Sequence, residues 1–65
     1  MITNHLKEIR ESFLLGKSEV AKKADLSVGT LIRIEQGRSC RIDTKRKILL
    51  ALGLNISDID KVFFN

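Results

Sequence analysis

The chain has 65 residues, with 12 Lys and Arg against 8 Asp and Glu and a formal net charge of +4. That length suits one domain over residues 1–65, and a chain so short buries only about 60% of its unfolded surface, too little for a core and a catalytic cleft together. No apolar run approaches the ~20 residues of a membrane span, and the single Cys40 excludes an internal disulfide.

Proline is absent and only four glycines occur, so little interrupts helix formation. Leu6, Ile9, Phe13 and Leu14 share one helix face, which predicts a first helix over about 4–13 capped by Thr3 or Asn4. A short second helix starts after Gly16 or at Ser18 and ends near Asp25, with Val20, Ala21 and Ala24 inward. Ser27 caps a third helix over 28–36 by accepting from the Thr30 amide, and Gly37 stops it. Arg38 to Ile42 forms a loop. Asp43 or Thr44 opens a fourth helix bearing Ile48, Leu49, Ala51 and Leu52, and Gly53 ends it. Ser57 and Asp60 have capping-box spacing, which predicts a last helix over about 57–63. The result is an all-α fold of five short helices. The expected core is Leu6, Ile9, Phe13, Val20, Ala21, Ala24, Leu31, Ile34, Ile48, Leu52, Leu54 and Ile59.

Little in the chain suggests catalysis. His5 is the one histidine, so no His–His metal pair exists. Cys40 lies between Ser39 and Arg41, and an arginine can lower a thiol pKa, but no general base is placeable beside it. There is no phosphate-cradling glycine loop and no zinc-type cysteine spacing. Neither an enzyme nor a cofactor is expected. The charge is more informative: residues 1–15 sum to zero, 16–42 to +3, 43–53 to +2 and 54–65 to −1. A basic middle is the electrostatic footprint of a nucleic-acid binder, although a solvated face carries the same signature.

The second and third helices, joined by a short turn, have the proportions of a helix-turn-helix. Ala21 and Ala24 allow close packing, and the face opposite Leu31 and Ile34 exposes Val28, Thr30 and Arg33. Residues 17–38, KSEVAKKADLSVGTLIRIEQGR, resemble the lambda-repressor/Cro-type (Xre-type) helix-turn-helix. Glu19, Val20, Ala21, Ala24, Leu26, Ser27, Thr30, Leu31, Ile34, Glu35, Gly37 and Arg38 agree with its pattern in register, and KILLALGLNISDI (47–59) agrees beyond it. The chain departs from that pattern at several places. Lys17 stands for the usual glutamine, Gly16 for a polar cap, Asp25 for a turn glycine and Leu14 for a frequent glycine. Gly29 stands where relatives often carry a base-reading side chain.

The resemblance implies a five-helix lambda-repressor-like domain, helix-turn-helix at about 17–36, that binds double-stranded DNA as a transcriptional regulator, expected to be a repressor. The helix over 28–36 would enter the major groove, with Val28, Thr30 and Arg33 at base edges. Lys17, Gln36, Arg38, Arg41, Thr44, Lys45 and Arg46 would contact phosphates. Glu35 is expected to pair with Arg10. A homodimer joined through Val62, Phe63 and Phe64 would suit a palindromic site. A cytoplasmic, nucleoid-associated location follows, with no membrane contact. The alternative is an antitoxin-like or antirepressor-like module that binds a partner protein, with weak DNA binding; Gly29 and the modest net charge favour it.

Overall fold

The computed structural model describes residues 4–63. Helices α1 (Leu6–Ser12), α2 (Lys17–Lys23), α3 (Val28–Glu35) and α4 (Ile42–Ala51) precede a single 3-10 turn, Ile56–Asp58, and a short α5 (Ile59–Val62). Among the described residues there is no strand, only one isolated antiparallel bridge between Asn4 and Phe63.

The first four helices all end in the same way. After α1, the Leu14 amide donates to Glu11 O and the Leu15 amide to Arg10 O; Asp25 and Leu26 do this after α2, Gly37 and Arg38 after α3, and Gly53 and Leu54 after α4. These paired bonds are Schellman motifs, which satisfy the last carbonyls of a helix through one residue in the left-handed region. Gly37 (φ 105°) and Gly53 (φ 78°) take that conformation without strain, whereas Leu14 and Asp25 take it at φ 58° despite carrying a Cβ.

Leu14 is also 92% exposed, so its side chain has almost no contact to offset the strain. Leu14→Gly is therefore expected to stabilise the domain by about 0.5–1 kcal/mol, the relieved strain less the greater freedom of glycine in the unfolded chain. A urea melt of both proteins measures it; a lower midpoint for the glycine variant would show that the leucine is held by the fold.

The core closes around Leu6, Val20, Leu31, Ile48, Leu49 and Val62, with Ala21 and Ala24 where α2 meets its neighbours. Ile9, Leu26, Leu54 and Ile59 pack partly buried against it. Phe13 does not join, and is 44% exposed. It is the C-cap residue of α1, where the chain turns away from the helix, so its periodic place no longer points inward.

The N-terminus of α1 is held by Asn4. Its Oδ1 accepts from the Leu6 amide at 3.0 Å, while its Nδ2 donates to Ile34 O at 2.8 Å. One buried side chain thus ties the start of α1 to the end of α3. Thr3, the other expected cap, lies outside the described residues. Helix α4 begins at Ile42, earlier than expected, because Arg41 is the extended residue before it (ψ 159°).

The C-terminal element differs from expectation in its cap. The box is Asn55 with Asp58, not Ser57 with Asp60: the Asn55 amide donates to Asp58 Oδ2 at 3.0 Å, and Asn55 returns the bond to the Asp58 amide. Asparagine is among the best caps, and its earlier start produces the 3-10 turn before α5. The Asn55 amide, aided by Lys61, whose Nζ is 3.1 Å away, holds the Asp58 carboxyl below its ordinary value. Its stabilising share is present above the ordinary carboxylate range and is lost as pH falls through the lowered pKa.

Val62 and Phe63 are buried, at 0% and 5% exposure, so they are not the expected dimer contact. The His5 amide donates to Val62 O at 2.8 Å, which draws the C-terminal segment alongside the N-terminal one and seats both side chains in the protein's own core. Phe64 lies outside the described residues.

Candidate nucleic-acid interface

Helix α3 is positioned from both ends. At its start Ser27 Oγ accepts from the Thr30 amide at 3.1 Å and donates to Thr30 Oγ1 at 2.8 Å. At its end Glu35 is fixed by Arg10: Arg10 Nε donates to Oε2 at 2.6 Å and Nη2 to Oε1 at 3.3 Å, while Nη1 donates to Leu15 O at 2.9 Å. Both side chains are almost wholly buried, at 5% and 4% exposure. This bidentate pair satisfies one charge with the other and also locks α1, the α1–α2 turn and α3 together. Between these anchors Leu31 and Ile34 face the core, which turns Val28, Gly29 and Arg33 to solvent and leaves Thr30 half-buried.

A cleft of about 300 Å³ lies between α3 and the start of α4. Thr30, Arg33, Arg38, Cys40, Arg41 and Thr44 line it, together with Ser39 and Ile34. Arg33, Arg38 and Arg41 are exposed and, among the described residues, none pairs with a carboxylate. Glu35, the acidic residue nearest in sequence to Arg33 and Arg38, is already taken by Arg10, and Asp43, two residues from Arg41, lies 4.0 Å from Arg46. Three exposed guanidiniums with no carboxylate partner among the described residues make this face electropositive and keep their bidentate forks available.

The other residues expected at phosphates are not part of the cleft. Lys17 is exposed at the start of α2, behind Gly16, which offers no side-chain cap, and Gln36 is the exposed C-cap residue of α3. Arg46 is exposed, with Nη1 4.0 Å from Asp43 Oδ1. Lys45 is half-buried, and its ammonium sits over the Phe63 ring, 5.5 Å from the centroid. It is thus drawn towards the C-terminal segment, a cation–π contact that competes with an outside anion. Ser39 joins the cleft without being among the residues expected there; a hydroxyl in a loop between two arginines is the signal that marks it.

Cys40 is not an activated thiol. Burial pushes its pKa above the ordinary value, and the Lys45 ammonium only partly offsets that. His5 Nδ1 lies 3.4 Å from Glu8 Oε2 and is not among the residues that line the cleft. Among the described residues no group of three His, Cys, Asp or Glu side chains could hold a metal ion.

The family profile whose description is helix-turn-helix matches residues 6–59, most of the chain. The chain belongs to the helix-turn-helix family. It is a lambda-repressor/Xre-type member and, as such, a DNA-binding transcription regulator. No curated protein and no solved structure gives a significant match. In this helix-turn-helix domain α2 and α3 form the paired helices, and Asp25 and Leu26 make the turn between them by the hydrogen bonds described above. No helix among the described residues is long and apolar enough to cross a membrane.

Proposed function

We propose that the domain binds double-stranded DNA sequence-specifically, with α3 in the major groove, and represses transcription by covering promoter DNA. The observation that carries this reading is the set of three exposed guanidiniums, Arg33, Arg38 and Arg41, beside the solvent face of α3, none of them paired with a carboxylate among the described residues. Arg33, on the helix itself, is the base reader, since an arginine fork pairs bidentately with guanine O6 and N7. Val28 and Thr30 are the other base-edge residues. Arg38 and Arg41, on the loop, hold phosphates together with Lys17, Gln36, Thr44 and Arg46, and fix the register of the helix. Lys45 contributes less, because its ammonium has the Phe63 ring as a partner. The site of action is the cytoplasm, on the nucleoid.

Substituting the two kinds of arginine tests this division. Arg33→Ala should cost about 1–3 kcal/mol on the preferred site and relax the choice at one base pair. Arg41→Ala should weaken specific and random duplexes by the same factor. If Arg33→Ala also lowers both equally, Arg33 is not a base reader.

The protein acts as a two-fold dimer on a palindromic site, which places two copies of α3 about one DNA turn apart. With Val62 and Phe63 buried, the exposed apolar side chains left for such a contact include Leu50 on α4 and Ile56 in the 3-10 turn packed beside it. Sedimentation at tens of micromolar, with and without the operator duplex, should show two chains per particle at least on DNA. One chain per particle under both conditions would remove the dimer.

A further inference from the structure

The first turn of α3 is chemically bare on its solvent side. Val28 is 39% exposed, Gly29 has no side chain, and Thr30 already accepts a hydrogen bond from Ser27 through its hydroxyl. Leu31 is buried and Ile32 is apolar, so no side chain capable of a bidentate base contact precedes Arg33. Nothing inside the protein requires the glycine. Beyond its chain neighbours and its own helix backbone, a Cβ at position 29 would meet no atom of the described residues within 4 Å, and the backbone there is ordinary right-handed helix. A glycine in a helix loosens it. The advantage of a missing Cβ at this place therefore lies outside the chain.

We propose that Gly29 is a close-approach position: the bare backbone of the first turn of α3, with Val28 beside it, seats against the 5-methyl group of a thymine. The inference rests on the DNA-binding reading above. The thymine methyl is the apolar group that the major groove presents, and the exposed Val28 side chain beside the bare Gly29 is matched to it. A methyl side chain at 29 would occupy the same space and hold the helix off the bases. What this turn reads is then shape and a methyl group rather than a hydrogen-bonding edge.

The test uses the full chain and the duplex it prefers from a random pool. Each thymine of a half-site is replaced singly by deoxyuridine, which removes only the methyl. Wild-type affinity should fall about three- to fivefold at one position, the value of one buried methyl group. Gly29→Ala should melt a few degrees higher than wild type. It should also bind the thymine duplex at least about tenfold more weakly and no longer distinguish thymine from uracil at that position. The proposal is overturned if Gly29→Ala binds as tightly as wild type, if it melts lower (the glycine then serves the fold), or if wild type is indifferent to deoxyuridine everywhere. Failure of wild type to bind any duplex is a different result, and removes the DNA-binding reading itself.

Discussion

Glu35→Ala should bring the domain to the edge of unfolding. The substitution leaves the Arg10 guanidinium buried with only Leu15 O as a partner. Breaking a buried pair from one side costs about 3–5 kcal/mol, because a charge stays in the interior without its counterpart. A domain of this length holds in total about 3–10 kcal/mol. Urea melts should show either a large loss of midpoint or no folded baseline. The double replacement Arg10→Met with Glu35→Leu separates charge from packing. It should regain most of the loss, since an apolar pair of similar volume often equals or exceeds a buried ion pair. If Glu35→Ala loses less than about 1 kcal/mol, the pair does not hold α1 to α3.

Raising salt from 50 to 200 mM should weaken DNA binding by about 150-fold per domain. Besides the base-reading Arg33, the surface offers Lys17, Arg38, Arg41 and Arg46 as exposed cations for phosphate. Neutralising roughly four phosphates releases their counterions with a log–log slope near −0.9 for each. The total slope is then about −3.6, and a fourfold change in salt gives the stated factor. Lys45 adds little to that slope if its ammonium stays over Phe63. Titration of one duplex at several salt concentrations measures the slope directly. A value shallower than about −2 would mean that these side chains do not meet phosphate together.

Local chemistry was readable from single residues and short spacings. Ser27 caps α3 through Thr30, as its type and position imply, and Gly37 and Gly53 stop their helices in the left-handed region. Asp25 and Leu14, which stand where relatives favour glycine, adopt the glycine-like backbone all the same. The Arg10–Glu35 pair was expected only from family resemblance; no spacing rule links residues 25 apart. What escaped the sequence depends on where distant segments meet. Phe13 keeps helical spacing but falls on the cap of α1, where spacing no longer sets direction. Val62 and Phe63 look like an unpaired apolar end until the His5 amide and the Asn4 bridge draw them into the core. At the candidate site, the arginine count was legible. Which of them converge was not, because the path of residues 38–41 decides that Arg33, Arg38 and Arg41 share one cleft while Lys45 turns to Phe63.

Selection of bound sequences from a random duplex pool, at low and at near-physiological salt, bears most directly on whether this domain reads DNA through α3. Wild type should enrich a short two-fold-related motif at both salts, with a guanine step that disappears when the selection is repeated with Arg33→Ala. A pool that stays unenriched at both salts would contradict sequence-specific binding and move the protein to the partner-binding class. A motif that survives Arg33→Ala unchanged would leave DNA binding in place but take its reading away from this face of α3.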